Sequence, residues 1–119
     1  RVLFRPMDCI FCGIVNNDIP SKKVYEDDKV VAFEDINPAA PVHIVIVPRK
    51  HISSLMDIND EDANLIGHIF MIAKKIAIEK NISENGFRIV CNCGEDGGQT
   101  VKHLHFHLLG GRSFGWPPG

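Results

Sequence analysis

The chain lacks any long apolar run. Nowhere in its 119 residues do the roughly 18 consecutive apolar residues of a membrane helix stand together. It also lacks an excess of basic charge. Thirteen Lys and Arg face 15 Asp and Glu, for a net charge of −2. Duplex nucleic acid is therefore not an expected partner. A small anion is not excluded, because a nest of backbone amides binds phosphate even in an acidic protein. The N-terminus has no apolar h-region of the kind a secretion signal carries. Arg1 to Pro6 precede Met7 and read as an expression-vector remnant, with Met7 as the natural start; a short natural extension is the alternative. Without a signal the expected location is cytoplasmic. The four cysteines then belong to metal binding or free thiols rather than disulfides. No internal repeat, linker or low-complexity segment is present. Residues 7–119 thus read as a single domain, long enough to bury a core without staples.

What is present is concentrated in His103-Leu104-His105-Phe106-His107-Leu108-Leu109, which holds half of the six histidines. Histidines alternate with apolar residues at the period of a strand. Three imidazoles on one face make a poor core and a good place to hold an anion, attack it or bind a metal. The flanks, Gly97-Gly98-Gln99-Thr100 and Gly110-Gly111, have the composition of site loops.

The remaining elements follow from periodicity. Lys23 to Glu26 and Lys29 to Glu34 read as a hairpin about Asp27-Asp28. Val42 to Pro48, nearly all β-branched, reads as a central strand buried on both faces. A helix opens at Asp60-Glu61-Asp62, with Asn59 or Asp57 as its cap. Its stripe runs through Leu65, Ile66, Ile69, Phe70, Ile72, Ala73, Ile76 and Ala77, and it ends by Asn85-Gly86. Phe87 to Asn92 is a further strand. His68 lies on the helix flank and reads as solvent-facing, without a role.

Two chemistries are open to these residues. In the first, Gly97, Gly98, Gln99 and Thr100 supply backbone and side-chain donors to a phosphate. His105, flanked on both sides, attacks phosphorus, and His107 donates to the phosphoryl group. In the second, Cys9-Ile10-Phe11-Cys12 supplies half of a tetrahedral metal site. Redox use of the pair is disfavoured because no strand has room to precede it. His51 and His103 are candidates for the other two ligands, although the spacing is not that of a zinc finger. Cys91 reads as a small buried thiol and Cys93 as a loop or strand-end thiol. His43 is either a satisfied core histidine or a brace behind a catalytic imidazole.

The His-φ-His-φ-His-φ-φ stretch resembles the signature of the histidine triad (HIT) superfamily. Asp35-Ile36-Asn37-Pro38, Ala40-Pro41-Val42-His43, Pro48-Arg49-Lys50-His51, Asp96 to Thr100, and Gly110-Gly111-Arg112 with Trp116-Pro117-Pro118-Gly119 resemble its Hint branch, the histidine triad nucleotide-binding proteins. The resemblance implies an α+β fold: an antiparallel sheet of about five strands, one long helix and one short helix. It implies a homodimer whose sheets are continuous across the interface. It implies binding of a purine nucleoside monophosphate and hydrolysis of nucleoside 5'-phosphoramidates through a nucleotidyl-histidine. Cleavage of dinucleoside polyphosphates, or a regulatory nucleotide-binding role, is the alternative. By position, His105 is the nucleophile, with His107 and His43 beside it. Asp35, Ile36, Asn92, Gly98, Gln99, Thr100, His105, His107 and Trp116 bind nucleotide. Cys9, Cys12, His51 and His103 match the ligands of a structural zinc. Lys102, Phe114-Gly115 and Cys93 depart from the usual pattern.

Overall fold

Val42–Pro48 forms the middle of the sheet because it is apolar on both faces after His43. The computed structural model describes residues 9–119; the reading of residues 1–6 as a vector remnant, and of Met7 as the start, lies outside them. Strands β1 (Lys23–Glu26), β2 (Val30–Glu34), β3 (Val42–Pro48), β4 (Phe87–Val90) and β5 (Phe106–Gly110) make one sheet in the order β1-β2-β3-β5-β4. Every neighbouring pair is antiparallel. The Asp27 carboxylate closes the β1–β2 turn by accepting from the amides of Lys29 and Val30 at 2.8 and 2.7 Å.

The two faces of the sheet have different cover. Val30, Ala32, Ile44, Ile46, Phe106 and Leu108 point towards α2 (Ala63–Glu79), which buries Ile69, Ile72, Ala73, Ile76 and Ala77 against them. Val31, Phe33, Val45 and Val47 point the other way, onto Ile14 and Val15 of the short helix α1 (Ile10–Val15). The alternation of a strand produces both faces from one run of residues. Because Val45 pairs with His107 and His43 with Leu109, His43 and His107 share the face that α1 covers.

Helix α2 is entered through a 3-10 turn, Asp60–Asp62. Asn59 caps that turn, and the Asp62 carboxylate accepts from the Asn59 amide at 3.0 Å. Asp57 belongs instead to an earlier turn, where it accepts from the Ser54 hydroxyl at 2.9 Å.

The structure corrects two expectations about extent. The histidine strand begins only at Phe106, and β4 ends at Val90. The last β3–β5 partners are Ile46 and Phe106. Before that point the Leu104 amide donates to the Ile52 carbonyl at 2.6 Å, so the backbone of residues 103–105 leaves the ladder. His103 and His105 are thus held on an irregular segment, and only His107 is on a strand.

Candidate active site and metal centre

Irregular backbone lets the three histidines do different jobs. His103 is fully buried and His105 is 4 % exposed, while His107 is half-buried. His105 Nδ1 donates to the His103 carbonyl at 2.7 Å, since a carbonyl only accepts. In the neutral ring this leaves a lone pair on His105 Nε2. Phe11 of α1 packs edge-on against the same ring, with centroids 5.0 Å apart, and fixes its plane. The His105 and His107 rings meet edge to face at 5.1 Å.

The proton on His107 is set from behind. The Ala39 amide donates to His43 Nδ1 at 3.0 Å, so the hydrogen of the neutral His43 ring is on Nε2. That Nε2–H donates to His107 Nδ1 at 2.8 Å, with Asp35 Oδ2 at 3.4 Å as a second neighbour. His107 therefore carries its own hydrogen on Nε2. Burial lowers the pKa of His43 despite Asp35 nearby. Burial, reinforced by His105 and His43, lowers His107 to about 4, against the opposing pull of Asp35. Both rings are neutral near pH 7, as this assignment of protons requires.

Cys9, Cys12, His51 and His103 form a separate cluster whose ligating atoms all lie within 4.8 Å of one another. Cys9 is the N-cap of α1, and its Sγ accepts from the Cys12 amide at 3.3 Å. His103 Nδ1 lies 3.2 Å from Cys9 Sγ, 3.5 Å from Cys12 Sγ and 3.1 Å from His51 Nδ1. His103 Nε2 donates to the Pro48 carbonyl at 2.8 Å, so Nδ1 presents a lone pair to the cluster. These separations are near the edge lengths of a tetrahedron with legs of about 2.0–2.3 Å. The donor set, two sulfurs and two imidazole nitrogens, fits a zinc-type cation. Burial and the adjacent Cys9 push the Cys12 thiol up to about 11, which a cation would reverse by stabilising the thiolate. Asp35, His43 and His107 are also clustered, but their contacts are those of the relay just described.

The nucleotide-contact residues expected from the sequence divide. Asp35 stays near the relay, with its Oδ1 accepting from the Asn37 amide at 2.8 Å. Ile36 is almost wholly exposed beside it, and Asn92 is half-buried just past β4. Thr100 is exposed, and Gly98 has φ +80°, a conformation suited to glycine. Gln99 differs from expectation. Its Nε2 donates to the carbonyls of Ser53 and Val101 at 2.8 and 3.0 Å, and its Oε1 accepts from the Gly94 amide at 3.0 Å. The side chain spans the loop and holds its shape, and its donors are already taken. Trp116 is 83 % exposed near the end of the tail.

His68 is not idle. Its Nε2 lies 2.6 Å from Asp27 Oδ2, and Tyr25 Oη donates to the same oxygen at 2.8 Å. Burial works to raise the Asp27 pKa, but the bonds from His68, the two turn amides and Tyr25 hold it below the ordinary carboxylate range. Asp27 and His68 line a cleft of about 710 Å³ with Arg49, Lys50 and Asp62. Two of the cations there are paired: Lys50 meets Asp62 at 2.8 Å, and Arg49 donates to Glu26 and to the Asp27 carbonyl at 3.0 and 2.6 Å. The cleft is a clamp between α2, the β1–β2 turn and the end of β3. Sequence pattern gave no signal for it, because its members come together only in three dimensions.

This sheet, the helix across it and the buried histidines at the end of β3 and β5 define a histidine triad domain with a hydrolase-like site. The comparisons agree. The family described as "Scavenger mRNA decapping enzyme C-term binding" matches residues 8–114. An uncharacterised HIT-like protein of Synechococcus elongatus is 49 % identical over 112 residues, 94 % of this chain and 97 % of that one. Among solved structures, a HIT family hydrolase from Legionella pneumophila superposes with a TM-score of 0.93 at 48 % identity, covering 94 % of this chain and all of the other. A histidine triad protein from Clostridium difficile gives 0.89 at 54 % identity, over 94 % and 97 % of the two chains. The chain belongs to the HIT-like superfamily. No helix among the described residues is long and apolar enough to cross a membrane.

Proposed function

We propose that the protein is a nucleoside 5'-phosphoramidate hydrolase of the Hint type, acting through a nucleotidyl-histidine. The observation that carries this is the bond from His105 Nδ1 to the His103 carbonyl, which leaves Nε2 as a lone pair beside His107. His105 Nε2 attacks phosphorus, the new N–P bond forms, and the bond from phosphorus to the amine breaks. His107 Nε2–H donates to a phosphoryl oxygen as its charge grows. Water then attacks phosphorus, releasing the nucleoside monophosphate and restoring His105. The Asp35-Ile36 edge serves the ribose of a purine nucleotide, and the loop about Gly98 and Thr100 serves the phosphate.

Cys9, Cys12, His51 and His103 hold zinc in this reading. The ion supplies a structural cross-link when bound, tying α1 to the segment that carries the nucleophile. His103 then has both ring nitrogens engaged and is no acid for the leaving amine; Thr100 or water supplies that proton. The chain acts as a homodimer, in which the tail with Trp116 reaches the partner's site.

The test uses His105→Ala with an adenosine phosphoramidate. Turnover should fall to background while adenosine monophosphate still binds. Wild-type protein quenched during turnover in alkaline denaturant, where an N–P bond survives, should carry a nucleotidyl group by mass spectrometry, and the variant none. Turnover by the variant would remove His105 as nucleophile.

A further inference from the structure

The tautomer of His107 depends on a residue well outside the triad. The Ala39 amide occupies His43 Nδ1 and so, together with the Asp35 carboxylate 3.4 Å from Nε2, keeps the His43 hydrogen on Nε2. Residue 39 is an exposed position in the 35–41 loop, and nothing in its side chain can anchor it. Its carbonyl is the handle. Arg112 donates to the Ala39 carbonyl from both Nε and Nη2, at 3.2 and 2.9 Å, and from Nη1 to the Ser113 carbonyl at 3.0 Å. The guanidinium carbon itself lies over the Phe114 ring, 4.3 Å from its centroid. Arg88 stacks on that ring at 5.3 Å and donates to the Gly115 carbonyl at 2.9 Å. The approach of the two segments is tight: a Cβ on Gly111 would come within 2.8 Å of Pro41, and φ there is +90°.

We infer that Arg112 is a positioning residue for catalysis, fixing the Ala39 amide and through it the His43–His107 proton arrangement. This rests on the phosphoramidase reading for its kinetic consequence, though not for its structural one. Were the Ala39 amide to drift, His43 would be free to carry its hydrogen on Nδ1. Its Nε2 would then accept from His107 Nδ1–H, and His107 Nε2 would turn a lone pair towards the phosphoryl oxygen. The donor to the transition state would become a repulsive neighbour, with little effect on ground-state binding. The same guanidinium starts the tail that carries Trp116, so tail position and His107 tautomer are mechanically joined.

The test compares Arg112→Met, which keeps the stem over Phe114 but has no donor, with Arg112→Lys, which donates from one point instead of a fork. Long-range imidazole nitrogen spectra of the free protein report each tautomer without reference to turnover. The wild type should give Nε2–H for His43 and His107. Arg112→Met should give mixed tautomers, with kcat lowered about tenfold or more and KM changed less than about threefold, the scale on which losing an orienting partner of a functional imidazole acts. Arg112→Lys should fall between. Unmixed tautomers with kcat within about twofold of wild type would overturn the inference, as would a rise in KM alone. Should Arg112→Met not fold, Arg112→Lys decides by the same two readouts. If the wild type turns over no phosphoramidate, the functional reading fails and the spectra alone judge Arg112.

Discussion

Single atoms decide what each histidine does. One backbone carbonyl, that of His103, leaves a lone pair on His105 Nε2, and one backbone amide, that of Ala39, leaves the His107 hydrogen on Nε2. His43→Ala should therefore act on kcat more than on KM, by about 10- to 100-fold, as measured in steady-state assays. The buried neutral rings also set an acid limit on stability. His107 titrates near 6.5 when unfolded and about 4 when folded. Between those values the unfolded chain binds a proton that the folded chain refuses, so stability rises with pH there. The contribution is whole above 6.5 and is lost as pH falls towards 4. Urea midpoints at pH 7.5 and 5.0 should differ, and His107→Gln should narrow the gap; an equal gap in the variant would discard this cause. Gly97 offers another residue-scale test. A Cβ there would stand 2.3 Å from the Cys93 carbonyl oxygen, which is backbone and cannot swing aside. Gly97→Ala should cost about 1–3 kcal/mol by denaturant titration, the usual range for forced overpacking. The histidine alternation made most of this legible in the sequence. The Ala39 amide was not legible, because any residue but proline carries one. Gln99 reads as a phosphate donor by type, yet loop closure has claimed its amide.

At the level of elements, the sequence located the strands well because each face of the sheet has its own apolar cover. The two-faced run of β3 and the stripe of α2 both follow from periodicity. What periodicity missed is the break before Phe106, since a histidine on a strand and a histidine beside one look alike in a row of letters. The break comes from contacts of distant residues: Ile52 takes the Leu104 amide and Pro48 takes the His103 ring. His68 went unread for the same reason, its partner Asp27 standing 41 residues away. The proposed metal joins α1 to the turn after β3 and to the segment before β5. Chelation should therefore loosen α1 and lower the melting temperature by about 10 °C or more, since each kcal/mol lost from a domain of this size shifts it by roughly 4 °C or more. Elemental analysis of protein purified without chelator should give one zinc per chain, and none in Cys12→Ser. A melting curve indifferent to chelator would leave α1 held by Phe11, Ile14 and Val15 alone.

The whole molecule presents apolar surface that one chain does not cover. Strand β4 is a sheet edge, with Phe87 partly exposed on it. Helix α2, which packs across β3 and β5 next to that edge, turns Met71 and Ile78 outward at 62 % and 55 % exposure, seven residues apart on one face. An uncovered edge beside an apolar helix face invites a second copy to pair and cover both. Sedimentation should give a particle of twice 13.3 kDa. Met71→Glu with Ile78→Glu, both exposed on the single chain, should give a folded monomer. The kinetics of that monomer carry the argument further. Trp116 is 83 % exposed on the single chain. If its place is in the partner's site, the monomer should lose substrate affinity while keeping the triad. KM should then rise about tenfold, the effect of losing one aromatic anchor, with kcat nearly unchanged. Trp116→Ala in the dimer should reproduce the same rise, and the monomer carrying Trp116→Ala should show no further loss. Additive losses would separate the tail from the interface and return each site to a single chain.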